Sequence, residues 1–260
     1  MLIQPEPYFS VRLAQTVHDR QAAQRLRYRV FIQELGGDGP LVDHENKFEV
    51  DWFDTFCDHL ILVDERRNHR DLDHVVGVYR LLRGDQAARA GRFYSEAEYN
   101  LSPLFLSERK LLELGRSCVH PACRRGTAMY RLWSGLAAYV SDHKIDILFG
   151  VASFHGTDLA VLAAPLSLLY DRHLAPPELR VCAHEDTCQT MNILPQEVLD
   201  RRRAVLQIPA LIKAYLRLGG FVGEGAYVDH AFNTTDVCLV MDTARMNPRH
   251  SGHYTERPIR

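Results

Sequence analysis

Leu111–Val119 reads Leu-Leu-Glu-Leu-Gly-Arg-Ser-Cys-Val, an apolar run with Glu113 and Arg116 embedded in it. A carboxylate and a guanidinium inside a buried strand are costly unless they are paired. On a regular strand, residues three apart point to opposite faces. Gly115 lies between them and offers a bulge that re-aims one side chain. Such a strand suits an acid–base site, with Glu113 as general base. It suits equally an ion pair that only fixes register. Backbone N–H groups freed at a bulge near Arg116, Ser117 and Cys118 would be donors for an oxyanion. Cys118 as a nucleophile lacks a base beside it in sequence.

Other charged residues sit in unusual places. Arg27 and Phe31 are four apart on one helical face. Arg80 shares a strand face with Val76, Val78 and Leu82. Asp51 and Asp54 stand in the loop between. Arg27, Arg80 and Arg116 balance Asp51, Asp54 and Glu113, which is also what a purely structural ion network would show. Cys118, His120 and Cys123, and Cys182, His184 and Cys188, form two thiol–imidazole groups without metal-site spacing, so no metal is expected.

The elements that must position these residues follow from periodicity and caps. Tyr8–Gln15 is predicted as a first strand. Asp19–Leu35 is predicted as a helix with Asp19 as N-cap and Gly36-Gly37 after its end. Gly36–Glu49 reads as a polar loop. Leu60–Val63 and Val75–Leu82 read as a hairpin, and Leu111–Val119 as the next strand. Met129, Leu132, Trp133, Leu136, Ala137 and Val140 recur at helical spacing. Ile145–Phe154 reads as a buried strand, and Pro165–Arg172 as a short helix opened by its proline. Pro195–Leu206 and Pro209–Leu218 read as two more helices, and Tyr227–Phe232 and Asp236–Asp242 as the last strands. The order implies one α/β domain over residues 1–245 with a mixed sheet, followed by a polar tail, 246–260.

Composition adds exclusions. The chain has 260 residues, 46% hydrophobic and 25% charged, with a formal net charge of −2. That balance gives no electrostatic case for nucleic acid. No apolar run is long enough for a transmembrane helix, and Met1–Ser10 lacks the pattern of a signal peptide. A cytoplasmic protein with six reduced cysteines is expected.

Three resemblances sharpen this reading. Arg124-Arg125-Gly126-Thr127-Ala128, between a strand and a helix, resembles the cofactor loop of GCN5-related N-acetyltransferases (the GNAT fold), where helix-start amides hold a pyrophosphate. Arg27 and Phe31, Asp51 and Asp54, Arg80, then Glu113 and Arg116 resemble, in order, the pattern of acyl-homoserine-lactone synthases. Over nearly the whole length the chain is similar to the ornithine N-acyltransferases of ornithine-lipid synthesis. The similarity runs through Arg27–Phe31, Cys57–Leu60, Gly77–Leu81, Phe93-Tyr-Ser95, Leu112–Val119, Phe149–Asp158, Ile212–Gly219 and Phe232–Val237.

The resemblance implies a GNAT-like mixed central sheet flanked by helices, with a helical C-terminal elaboration. It implies transfer of a 3-hydroxyacyl chain from acyl carrier protein to the α-amino group of ornithine, giving a lyso-ornithine lipid. No resident cofactor is expected, only the acyl-phosphopantetheine of the carrier as donor. Glu113, Arg116, Ser117 and Cys118 would then form the catalytic strand. Arg27, Phe31, Asp51, Asp54, Arg80, Ser153, Asn233 and Asp236 would contact substrate, with Asp51 and Asp54 binding the cationic amino acid. Val119 and Arg124, Arg125, Gly126, Thr127 and Ala128 would receive the pantetheine arm, Arg124 and Arg125 facing the acidic carrier. His155, in the loop before Asp158, reads as a surface histidine. Peripheral contact with the inner membrane fits a lipid product. Glutamine or glycine as acceptor, homoserine-lactone synthesis from S-adenosylmethionine, and a non-enzymatic membrane-active protein are the rival readings.

Overall fold

The computed structural model describes residues 8–125 and 127–246. Gly126, residues 1–7 and all but the first residue of the expected tail lie outside them.

In chain order the strands are β1 (Phe9–Leu13), β2 (Val42–Asp43), β3 (Phe48–Glu49), β4 (Asp58–Asp64), β5 (Val75–Arg83) and β6 (Tyr99–Asn100). They continue with β7 (Leu111–Val119), β8 (Ile147–His155), β9 (Cys182–Ala183), β10 (Phe221–Val222), β11 (Tyr227–Asp229) and β12 (Thr234–Asp242). The helices are α1 (Val17–Arg27), α2 (Gly84–Ala90), α3 (Ser102–Leu106), α4 (Ala128–His143), α5 (Leu159–His173), α6 (Arg201–Gln207) and α7 (Ala210–Arg217). The described residues form two compact units, one of residues 8–81 with Gly115–His143, the other of Leu82–Leu114 with residues 144–246.

In the first unit, β1 pairs antiparallel with β4, from Phe9↔Asp64 to Leu13↔Leu60. β4 pairs antiparallel with β5, with a register shift between Leu62 and Val63. β5 is followed in the strand order by β7. Ala22, Ala23, Leu26 and Val30 bury against Ile61, Val63, Val75, Val78 and Cys118. That is the apolar face the helical spacing encodes. The expected mixed sheet flanked by helices is present.

Both ends of α1 differ from the sequence reading. Thr16, not Asp19, is the N-cap of α1; Asp19 is the third residue of a capping box and accepts from Thr16 and Gln15 N–H groups. Arg12 chelates the same carboxylate at 2.7 and 2.8 Å. The α-helix ends at Arg27 and widens into a π-helix over Tyr28–Glu34. Apolar periodicity alone does not separate the two, because positions four apart stay near one face in both.

In the second unit, the first residues of β7 pair in parallel with β8, Leu111↔Ile147 to Glu113↔Phe149. β8 and β12 pair antiparallel over nine residues, Thr234↔His155 to Asp242↔Ile147. β10 and β11 both pair with β12. α5 begins at Leu159, capped by Asp158, and Pro165 lies inside it rather than at its start. The proline leaves the carbonyl of Val161, an exposed residue, without its helical donor, while Asp158 accepts Ala160 N–H and starts the helix upstream. The predicted helix over Pro195–Leu206 is a turn followed by α6, because Asp200 caps Arg203 N–H and stops the helix from starting earlier. α6 and α7 supply the helical C-terminal elaboration. Among the described residues, no helix is long and apolar enough to cross a membrane.

Beyond Glu113 the backbones of β7 and β8 come very close. A Cβ at Gly150 would lie 2.2 Å from the Leu114 carbonyl oxygen. Backbone cannot yield as a flexible side chain does. Gly150→Ala is expected to cost about 3 kcal/mol in urea unfolding. At Gly84, where a Cβ meets nothing within 4 Å, Gly84→Ala stays within about 1 kcal/mol of the parent. Equal unfolding midpoints for the two variants would show that the strands open to admit a Cβ.

Candidate active site

The first unit holds a buried network of six charges. Arg27, the last residue of α1, is fully buried. Its Nε donates to Glu49 on β3, and its Nη1 to Asp54 Oδ1 at 2.7 Å. Asp54 also accepts from Gln24 Nε2 at 2.9 Å. Arg80 on β5 reaches Asp51 at 3.0 Å and Asp54 at 3.4 Å. Arg116 on β7 donates to Glu49 at 3.2 Å and Asp51 at 2.9 Å. Each of the three arginines thus engages two of the three carboxylates.

The spacing of Asp51 and Asp54 has a local cause. They are the N-cap and third residue of a 3-10 helix over Trp52–Thr55. Asp51 accepts Phe53 N–H at 2.7 Å, and Asp54 accepts Asp51 N–H at 3.3 Å. The reciprocal cap fixes both carboxylates before any arginine arrives. Burial raises the carboxyl groups of Glu49, Asp51 and Asp54, but the facing arginines outweigh it and hold all three below their ordinary values. Burial likewise opposes the charge on Arg27, and Glu49 and Asp54 more than restore it. His59, opposite Arg80 in the β4–β5 register, is pushed down by burial and by Arg27 and Arg80, against the pull of Asp54.

Arg116 departs from the expected bulge. The left-handed residue is Arg116 itself, at φ 48°, and not Gly115. A non-glycine residue there costs about 1 kcal/mol. Its bonds to Glu49 and Asp51 offset that cost and fix the side chain in the network. Next to it, burial pushes the Cys118 thiol up to about 12. Cys118 is therefore a core thiol at neutral pH, and its place on β7 leaves it a backbone role.

Glu113 belongs to the second unit and is 3% exposed. Its Oε2 accepts Tyr94 N–H at 2.7 Å. Its Oε1 accepts Ser95 N–H at 2.6 Å and Ser95 Oγ at 2.5 Å. The carboxylate therefore caps the 3-10 helix Tyr94–Ala97.

The remaining expected residues are placed as follows. Phe31 packs on the core of the first unit. Arg124 donates to both oxygens of Glu34, at 2.5 and 2.6 Å, and to the Val119 carbonyl at 3.1 Å. Arg125 and Thr127 are exposed, and buried Ala128 opens α4. In the second unit, exposed Ser153 stands opposite buried Asp236 in the β8–β12 register. Asn233, left-handed at φ 51°, accepts Gly156 N–H at 2.8 Å. Among the described residues no group of three His, Cys, Asp or Glu is arranged to hold a metal ion.

Two residues were missed by sequence reasoning. Glu49 lay at the end of the presumed polar loop; its signal was a glutamate flanked by Phe48 and Val50. Ser95 was part of a family-like segment but carried no role.

Glu49→Gln leaves two arginines facing a neutral amide and is expected to cost about 3 kcal/mol at pH 7. The sign with pH follows from the depressed carboxyls. Their stabilisation is fully present above the ordinary values of 4.5 and 3.8, and is lost as pH falls through the lower folded values. The stability gap between parent and variant should therefore narrow below about pH 4. A gap constant from neutral to acid pH in denaturant titrations would assign the loss to packing instead.

Comparison with known proteins bears on these arrangements. An acetyltransferase (GNAT) domain matches residues 26–134. The L-ornithine N(alpha)-acyltransferase of Rhodobacter capsulatus is 58% identical over 249 residues, 96% of this chain and 95% of that protein. The protein of the same name from Brucella abortus is 41% identical over 94% of this chain and 88% of its own length. Among solved structures, FeeM, an N-acyl amino acid synthase from uncultured soil microbes, superposes with a TM-score of 0.52 at 13% identity over 92% of each chain, a likeness of fold alone. With relatives this similar along almost its whole length, the chain belongs to the L-ornithine N(alpha)-acyltransferase family, on a GNAT fold.

Proposed function

We propose that this protein transfers a 3-hydroxyacyl chain from acyl carrier protein to the α-amino group of L-ornithine, giving a lyso-ornithine lipid. The observation that carries this reading is the 58% identity over 96% of the chain to a protein named for that acyl acceptor. The carrier as donor and the 3-hydroxyacyl chain rest on the family resemblance.

The chemistry asks little of the protein beyond proton handling and orientation. The ornithine ammonium gives one proton to Glu113, directly or through water. The neutral nitrogen attacks the thioester carbon. Backbone amides are the donors for the oxyanion. Collapse breaks the carbon–sulfur bond, and the second nitrogen proton goes to the leaving thiolate. Glu113 then returns its proton to solvent. The raised Cys118 thiol favours this direct transfer over an acyl-enzyme.

The network of Arg27, Arg80 and Arg116 with Glu49, Asp51 and Asp54 orders the scaffold. Asp51 and Asp54 already bond arginines and cap a helix, so positioning is their first role; Ser153, Asn233 and Asp236 remain the substrate-contact candidates of the second unit. Val119, Thr127 and Ala128 are the residues proposed to receive the pantetheine arm. Arg124 is committed to Glu34, which leaves exposed Arg125 as the cation for the acidic carrier.

Mass spectrometry of lipids from cells expressing the chain should show a new acyl-ornithine. A glutamine or glycine headgroup would change the acceptor. Glu113→Gln should fold normally and lose about 10²–10⁴ in turnover; a variant that kept parental turnover at neutral pH would remove Glu113 as base. Arg125→Glu should raise KM for the acyl carrier protein and leave KM for an acyl-pantetheine fragment near the parent's. Equal losses on both donors would place Arg125 on the pantetheine rather than on the carrier.

A further inference from the structure

We propose that Ser95 is the positioning residue for Glu113, holding the carboxylate in its working orientation through the side-chain hydroxyl. The inference rests on Glu113 as the general base. Ser95 is fully buried, and its Oγ donates to Glu113 Oε1 at 2.5 Å. Its own N–H reaches the same oxygen at 2.6 Å, while Tyr94 N–H holds the other oxygen at 2.7 Å. Both oxygens are thus tied to one turn, so the carboxylate plane cannot rotate without breaking several bonds. Of these donors, the two N–H groups are main-chain groups that any residue supplies. Only the hydroxyl depends on the identity of residue 95.

The turn that carries Ser95 is itself anchored. Phe93 N–H is capped by Glu96 Oε1 at 2.6 Å, and Arg92 Nη1 donates to the carbonyls of Phe93 and Tyr94 at 3.2 and 3.1 Å. The Phe93 ring meets Phe149, the register partner of Glu113, edge to face at 5.0 Å. From the C-terminal half, His184 lies with Nε2 2.9 Å from the Glu96 carbonyl, and its N–H donates to the Glu98 carbonyl at 3.0 Å. β6 then pairs with β9, Tyr99↔Ala183 and Asn100↔Cys182. A rigid turn fixed on both sides, delivering a buried hydroxyl to a reacting carboxylate, is how a supporting residue sets the geometry of a catalytic one.

The test is a kinetic cycle on the full chain with acyl carrier protein and ornithine, alongside thermal unfolding. Ser95→Ala should lower kcat about 10- to 100-fold, the scale of a misplaced reacting group. KM for ornithine should stay within about threefold, because only a step after binding is affected. Its unfolding midpoint should stay close to the parent's, and Ser95→Thr, which restores the hydroxyl, should recover turnover. On the Glu113→Gln background, Ser95→Ala should cost little more, since it acts through the carboxylate already lost. A Ser95→Ala enzyme with parental kcat, while Glu113→Gln is inactive, overturns the proposal and leaves Glu113 as base. A further full loss on the Glu113→Gln background also overturns it. Parental turnover in Glu113→Gln overturns the base itself, whatever Ser95 does.

Discussion

Three arginines and three carboxylates share one desolvated cluster, and the first unit is built around keeping all six paired. Removing any one partner would leave the buried charges that face it short of a partner, which costs far more than an intact pair returns in net stability. The cluster therefore acts as a constraint more than as a source of stability. It fixes where the end of α1, β3, the 3-10 helix at Trp52–Thr55, β5 and β7 stand with respect to one another. Arg27, fully buried, is the clearest case: no solvent replaces Glu49 or Asp54 as its partner.

The same constraint explains a backbone conformation that local preference disfavours. Arg116 sits in the left-handed region although glycine is its neighbour. Its guanidinium has to reach two carboxylates on the segment preceding β4, and those two ion pairs hold the strained backbone in place. Strain at such a point on a strand is often where function lies.

Asp51 and Asp54 show how one spacing serves two ends. Three residues apart is the geometry of a reciprocal helix cap, and it also presents two carboxylates to Arg80 together. Glu113 repeats the device in the second unit, where the carboxylate caps the turn that begins at Tyr94. In both units an acidic side chain is oriented by a short 3-10 helix, the first pair for structure and the second, by proposal, for chemistry. A carboxylate pinned by a turn loses its conformational freedom during folding rather than during turnover, which is what preorganisation means for an acid–base group.

Much of this arrangement is written locally in the chain. The bounds of β7 follow from an apolar run with two charges embedded in it, and α4 from its 3.6-residue spacing, because burial of one face leaves a local periodic trace. The pairing of Arg27 and Arg80 with Asp51 and Asp54 was legible as an order of charged residues in apolar surroundings. The membership of the family was legible in the segments that carry it. The rest depends on partners far apart in the chain. Glu49 joins Arg27 across 22 residues and Arg116 across 67, and nothing local marks it beyond its apolar neighbours. Ser95 meets Glu113 across 18 residues. The π-helix after Arg27 and the left-handed turn at Arg116 run against local preference, and long-range ion pairs flank both. Local patterns specify which face is buried and where an element is capped; which distant charge completes a buried pair is settled only when desolvation makes every other arrangement too costly.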